Sequence, residues 1–409
     1  MNKKILVVSQ RFWPENNQIN DICEGFIERG YDVDVLCGQP NYPSGEFYKG
    51  YSSFKPGREE HRRMNIYRTM EIKKNNYSSL RMFLNYVTFP IASMFKKAAL
   101  RKNDYDRIFI YQQSPVMMSL AGLSIGRSRR ILTTMFVQDV WPERLYDELD
   151  VKSYVFNRFL TRLSAWHYRR ANRLIVTSEA AKSYLIREMN IPAGSIHCIP
   201  QFPYRVMEKD MRSEELMERY AGSFNIMFIG DITNEYSFDT ILEAARRIDR
   251  HAIRDIRFII VGDGLNLKDL KVRVNKLNLH DYFFYEEHVP AGRLGRFASI
   301  ADVLIACTPM DRANSLVQYH LVANYMAAGK PLVLAMGTGP KRMIRAAGCG
   351  LASEPDDADG LYENIMRMYR TPKAELREMG RKGRKYQREH FGRDNCIDQI
   401  LDVIYDEKL

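Results

Sequence analysis

A helix that starts out of a loop offers free backbone N–H groups and a positive dipole end, and both favour an anion such as phosphate. The stretch from Asn314 to Pro331 has that form. Asn314 or Ser315 can cap it, because either side-chain oxygen can accept from an orphan N–H one turn on. Val317, Leu321, Tyr325 and Ala328 recur at helical spacing and make one apolar face. His320 and Asn324 stand one turn apart on a neighbouring stripe, so both can reach one ligand. His320 is the cation nearest the helix start, with Lys330 as a second basic group beyond its end. Gly329 closes the helix and Pro331 prevents its continuation. The same pattern also describes a packed helix with an ordinary cap, and spacing leaves both roles open.

Carboxylates form the second group. Glu15 lies in the loop 11–18, and Asn41 and Tyr42 lie in the loop 38–45. Asp139, Trp141 and Glu143 share the run 138–144. Asp139 follows an apolar run, a position suited to a carboxylate that stabilises positive charge or contacts a hydroxyl. Standing before Trp141-Pro142, it reads equally well as a helix N-cap. Asp32 and Asp34 have acid-x-acid spacing but sit inside an alternating strand pattern, which argues against a metal pair.

The elements that must position these groups alternate. Residues 3–8 read as a buried strand, 19–29 as a helix ended by Gly30, and 31–37 as a second strand. Such a βαβ series implies a parallel sheet, whose active loops lie at the strands' carboxyl ends. The loops 11–18 and 38–45 therefore fall at a mouth. Residues 107–111 and 131–137 read as further strands, and the second opens onto Asp139. The pattern restarts with a strand over 224–229 turning at Gly230, a helix over 237–249, and a strand over 256–261 turning through Gly262 and Gly264. This predicts two α/β domains: 1–202, a polar linker 203–223, and 224–385, with 386–409 as a closing helix.

At 409 residues, 45% hydrophobic and 27% charged, the chain has the length and composition for two domain cores. Its six scattered cysteines form no C-x-x-C pair, which favours free thiols over disulfides or a zinc site. The N-terminus runs directly into a strand-like segment too short for a signal peptide, and no stretch is long and apolar enough to span a bilayer. A cytoplasmic protein is expected. No metal-ligand cluster is legible.

Residues 1–205 hold 31 Lys and Arg against 19 Asp and Glu, and the remainder 30 against 31, so the net +11 comes from the first half. An anionic surface is the implied partner. Residues 82–95 carry no charge, are rich in aromatics, and are flanked by Arg81, Lys96 and Lys97. With Phe83, Tyr86 and Phe89 they read as a membrane-interface segment, or alternatively as a core helix kinked at Pro90. Nucleic acid is not expected, since zinc-finger spacing, RNP-type aromatics and a long basic helix are all lacking.

Several of these segments resemble the retaining family 4 glycosyltransferases. Residues 325–333 (YMAAGKPLV) are similar to that family's E-Y/A-M-A-x-G-x-P-V-V segment, 138–144 to its Q-D-L-W-P-E-S, and 168–180 to its Y-R-R-A-D-x-I-I-V-x-S-E. Phe12-x-Pro14-Glu15, the run 29–36 and the run 40–45 are similar to members that build surface polysaccharides, including fucosamine transferases. The resemblance implies the GT-B fold, two facing Rossmann-like doubly wound domains with a C-terminal crossover helix. It also implies transfer of a sugar from a nucleotide-sugar donor, without metal or cofactor. The acceptor would be lipid-linked or polysaccharide (capsule, O-antigen, lipopolysaccharide or exopolysaccharide), at the inner face of the plasma membrane. Donor contacts would fall on Gly230, Asn234, Gly262, Gly264, Ser315, His320 and Asn324, and acceptor contacts on Glu15, Asn41, Tyr42, Trp141 and Glu143, with Asp139 catalytic. Asn234 stands where the family has Lys, Asn324 and Leu316 where it has Glu, and Asn16-Asn17 where it has a Gly-rich turn. Those departures carry the alternative, a catalytically silent GT-B subunit that binds or activates a partner glycosyltransferase.

Overall fold

The computed structural model describes residues 3–15, 17–41, 45–73, 79–100, 103–143, 154–209, 211–264, 266–310, 316 and 320–406. The chain divides into two compact units, Met1–Pro200 with Asp394–Leu409, and Gln201–Arg393. The stretch 203–223, expected as a linker, belongs to the second unit and forms two short helices, Arg205–Glu208 and Glu214–Arg219.

The first unit has strands β1 (Lys4–Val8), β2 (Asp32–Cys37), β3 (Gly57–His61), β4 (Met64–Arg68), β5 (Arg107–Gln112), β6 (Thr133–Val137), β7 (Arg173–Val176) and β8 (Ile196–Cys198). They form one sheet in the order β3-β4-β2-β1-β5-β6-β7-β8, parallel except for the β3–β4 hairpin. The second unit has β9 (Phe224–Ile229), β10 (Ile256–Val261), β11 (Phe283–Glu286), β12 (Val303–Cys307), β13 (Leu332–Ala335) and β14 (Gly350–Ser353), in the order β11-β10-β9-β12-β13-β14. Every pairing there is parallel. Continuous runs such as Ile5–Val8 and Phe258–Val261 are buried on both faces, as strands covered by helices must be. In each sheet the first strand lies in the middle, so the connections diverge on either side of β1 and of β9. That reversal opens a crevice at the carboxyl ends, where ligands of doubly wound sheets bind.

Asp34 is fully buried in β2, where Lys4 Nζ meets it at 2.9 Å and the Tyr105 hydroxyl donates to it at 2.7 Å. Of the acid-x-acid pair, Asp34 is thus held in an internal ion pair and Asp32 is exposed. The stretch from 82 to 95 lies in one helix, Ser79–Leu100, with Pro90 inside it. Tyr86 and Phe89, expected at a membrane, are buried in a helix that packs against the turn Val116–Ser119 and the helix Leu120–Arg129. Among the described residues, the large exposed apolar side chains of this helix are Ile91, Met94 and Phe95. Arg81 and Phe83 have side chains outside the described residues.

The last helix, Arg393–Tyr405, belongs from Asp394 onward to the first unit. Gly25 lies where an added Cβ would come 2.3 Å from Ile397, so the glycine lets two helices touch. Arg173 in β7 is 2% exposed and donates to the Val403 carbonyl at 2.9 Å and to that of Asp406. Both carbonyls stand at the helix's open end, where a cation also meets the negative dipole. Arg173→Met should therefore lower stability to urea by about 1–3 kcal/mol, the cost of buried acceptors left without a donor, and speed amide exchange across 393–405 first.

Candidate functional site

At the carboxyl end of the second sheet, the loops after β9 and β10 stack backbone against backbone. A Cβ on Gly262 (φ +138) would lie 2.1 Å from the Gly230 carbonyl oxygen, and one on Gly264 would lie 2.2 Å from that of Ile232. Only glycine fits either place. Their N–H groups do not form a bare cradle: Gly230 N donates to Val261 O and Gly262 N to Glu286 O, both at 3.0 Å. The glycines set the spacing of the loops. Asn234 is exposed in the first loop and accepts from the Asn266 side chain of the second.

The helix His320–Ala328 starts beside this pair of loops, with Leu321 Cδ1 3.1 Å from where a Gly230 Cβ would stand. Tyr325 fixes it. The phenol oxygen accepts from Ile229 N at 2.8 Å and lies 3.3 Å from the Ile305 carbonyl, tying the helix to the ends of β9 and β12. Sequence spacing counts Tyr325 only as apolar, and its anchoring hydroxyl shows in the structure alone. Residues 311–315 and 317–319 lie outside the described residues, Ser315 among them, while Leu316 is buried.

His320 and Asn324 do come together, but in contact with their own unit. Asn324 is buried; its Oδ1 accepts from Tyr204 N at 2.8 Å, and its Nδ2 lies 3.2 Å from His320 Nδ1. The Tyr204 ring packs edge-on against the imidazole, centroids 4.2 Å apart. Burial pulls the His320 pKa down to about 4, with only the Phe202 backbone favouring the charged form. The cation expected there is thus a neutral ring at pH 7, because desolvation penalises its charge. Lys330, the other expected cation, is held at the helix's far end by the Ser299 and Ala301 carbonyls, at 2.7 and 2.8 Å.

In the first unit, Glu15 and Asn41 meet at the mouth of β1 and β2: Asn41 N donates to Glu15 Oε1 at 2.6 Å. Both are buried, and Tyr42 lies outside the described residues. Asp139 is half-buried after β6, its Oδ2 accepting from Ser114 N at 3.1 Å, which bridges the loops after β5 and β6. Trp141 and Glu143, expected to line an open cleft, are buried instead. Trp141 N donates to the Tyr168 hydroxyl at 3.1 Å, and the Tyr184 hydroxyl donates to Glu143. Glu71, which no sequence pattern marks, lies buried in the same mouth as Glu15. Asp263, Glu287 and His288 bring three possible metal-ligand atoms within 4.8 Å of one another. That group is built into the protein's own charge network, since His288 N donates to Asp263 at 2.8 Å and Lys271 pairs with Glu287.

Two family models match end to end: Glycosyltransferase Family 4 over residues 16–202 and Glycosyl transferases group 1 over residues 217–386. The chain belongs to the family 4 glycosyltransferases. Its fold is GT-B. Within the family it is 24% identical over 255 residues to a 2-deoxystreptamine glucosyltransferase of Streptomyces kanamyceticus, covering 61% of this chain and 64% of the relative. An alpha-D-kanosaminyltransferase of the same organism is 24% identical over 246 residues, covering 55% and 58%. The chain thus spans about three-fifths of the length of these curated relatives. Among solved structures, sucrose-phosphate synthase from Thermosynechococcus elongatus superposes with a TM-score of 0.77 at 16% identity, over 98% of each chain. Anabaena HepE in complex with UDP and glucose gives 0.72 at 14%, over 99% of this chain and 100% of that one. For this family member, the neutral ring of His320 is directly measurable. Imidazole NMR should keep it uncharged at pH 6. Because its folded pKa lies below the usual ~6.5, the folded state binds fewer protons than the unfolded chain between about 4 and 6.5. Its contribution to stability is therefore complete above that window and is lost as pH falls through it, a loss that His320→Gln should abolish.

Proposed function

We propose that this chain transfers a sugar from a nucleoside-diphosphate donor to a lipid-linked or polysaccharide acceptor, with retention of configuration and without a metal ion, in bacterial surface-glycan synthesis. The observation that carries the reading is the start of the helix His320–Ala328 seated against the stacked loops of Gly230 and Gly262, in a chain matched by transferase models over both halves. Relatives named for transfer of glucose, kanosamine and N-acetylglucosamine support a hexosyl donor. A diphosphate leaving group at a helix start is stabilised by the dipole and peptide N–H groups, which is the argument for a metal-free reaction.

Thermal unfolding against a panel of nucleotide sugars tests the donor. A true donor at 100 times its Kd adds about 2.7 kcal/mol. Gly262→Ala, which forces the two loops apart, should bind the same nucleotide at least tenfold more weakly. If no nucleotide sugar shifts the transition, the transferase reading fails. If transfer is lost in chelator and restored by manganese, the metal-free part fails, and Asp263, Glu287 and His288 become the place to look.

The cytoplasmic face of the plasma membrane is the proposed location. Support comes from the surplus of 12 positive charges in residues 1–205 (31 against 19) and from exposed Ile91, Met94 and Phe95 beside Lys96 and Lys97. The chain should sediment with anionic but not neutral liposomes, less so at high salt. The double variant Met94→Glu/Phe95→Glu should release it. Equal partition onto both lipids would rule this location out.

A further inference from the structure

We propose that Glu71 is a positioning residue: as a neutral acid it ties the ends of β1, β2 and β4 to the helix Ser79–Leu100, and so sets the two loops that carry Glu15 and Asn41. The inference rests on the reading of those loops as the acceptor side. Glu71 stands three residues beyond the end of β4 and is 3% exposed. Gln10, just past β1, donates Nε2 to its Oε1 at 2.7 Å. Asn85 of the helix donates Nδ2 to the same oxygen at 2.9 Å. Gln39 N, just past β2, donates to Oε2 at 3.0 Å. Two residues on, Asn41 donates its N–H to Glu15 at 2.6 Å and its side-chain amide to the Gln39 carbonyl at 2.8 Å. Movement of Glu71 is thereby passed to the Glu15–Asn41 contact. Gly38 leaves room for it, since a Cβ there would fall 1.7 Å from Glu71 Oε2.

Burial without a counter-ion argues for the neutral form. Every partner of Glu71 is an uncharged amide, and no cation lies within ion-pair distance of it among the described residues. Gln10 Nε2 is shared with Asn85 Oδ1 at 3.3 Å, and Gln39 Nε2 is taken by the Lys55 and Thr69 carbonyls, both at 2.9 Å. The oxygens Gln10 Oε1 and Gln39 Oε1 remain buried without a donor. A proton on Glu71 spares the site an unpaired buried charge, a gain that must outweigh the preference of its three donated N–H bonds for the carboxylate. The charged groups of the surrounding elements point the same way. Glu15, on the loop from β1, repels a second anion. Arg68 of β4 pairs with Glu59 of β3 at 2.5 Å and donates to the Gly38 carbonyl at 3.0 Å. The Cys37 thiol of β2 is pushed up to about 12 and stays neutral, and the helix offers Asn85. Burial first, then Glu15, push the Glu71 carboxyl up to about 7, against the pull of its three hydrogen bonds.

Carbon-13 titration of glutamate carboxyls in the full-length protein tests this first. One glutamate should keep its proton at pH 6 and release it near neutrality, and that signal should vanish in Glu71→Gln. A carboxyl that is protonated in the fold but ionised in the unfolded chain makes stability fall as pH rises between the unfolded value (~4.3) and about 7. The wild-type melting temperature should therefore drop relative to that of Glu71→Gln from pH 5 to pH 8. Glu71→Gln, which imitates the neutral acid, should keep acceptor KM within about twofold and flatten its pH dependence, while Glu71→Ala should raise it at least tenfold with nucleotide binding unchanged. A wild-type protein with every glutamate ionised at pH 6, or a Glu71→Gln variant with unaltered pH dependence, overturns the proposal. The titration needs no substrate, so a chain without transferase activity can still confirm or overturn Glu71, and an ionised Glu71 leaves the transferase reading standing.

Discussion

A parallel strand that ends inside a protein leaves backbone groups that water cannot reach, and every such group needs a partner. Both sheets of this chain meet that demand at their carboxyl ends with a few buried polar side chains. Tyr325 serves Ile229 N, Asn324 serves Tyr204 N, Tyr168 serves Trp141 N and Glu71 serves Gln39 N. These contacts do more than satisfy the peptide. Each joins a strand end or loop to a helix or to a second loop, and so fixes where the loops leave the sheet. A hydrogen bond of this kind contributes only about 1 kcal/mol net, but one left unmade costs about 1–3. The loops are therefore held more by the penalty for leaving than by the gain of staying.

This constraint explains which parts of the molecule can be read from the sequence. Strands such as Phe224–Ile229 and Ile256–Val261 are continuous apolar runs bounded by turn residues, and pattern alone finds their limits. The hairpin of β3 and β4 is not legible that way. Gly57–His61 reads Gly-Arg-Glu-Glu-His and lies at the sheet's edge, where solvent faces it and no apolar pattern is required. The stretch 203–223 misleads for a related reason: its helices are short and expose most of their charged residues, so composition resembles a linker.

The pairing of His320 with Asn324 was legible in position, but not its protonation or partners. Helical spacing brings His320 and Asn324 together, as observed at 3.2 Å, since that depends only on a turn of backbone. Whether the imidazole is charged depends on what covers it, and Phe202 and Tyr204 are over a hundred residues away in sequence. Glu71 is a stronger instance. Its three donors come from residues 10, 39 and 85, so no local window holds the information that makes it a buried acid. Trp141 and Glu143 fail in the opposite sense. A motif places them correctly after β6, but the tyrosines that cover them, Tyr168 and Tyr184, are supplied by later helices.

The two sheet ends also differ in what they have to handle. In the second unit the described helix start presents a neutral imidazole, and the Gly230 and Gly262 N–H groups are taken by the ends of β10 and β11. An anion arriving there would be met by dipoles more than by fixed positive charge, a weaker field but one that needs no desolvation of a cation. In the first unit the corresponding mouth gathers carboxyl groups, Glu15 and Glu71, with amide side chains between them. Both carboxyl groups are buried and Glu71 is the proposed neutral acid, so this mouth offers hydrogen-bonding groups suited to hydroxyls more than dense charge. On the proposed transferase reading, a diphosphate suits the dipoles of the second unit, and a hydroxyl-bearing acceptor suits the carboxyl and amide groups of the first.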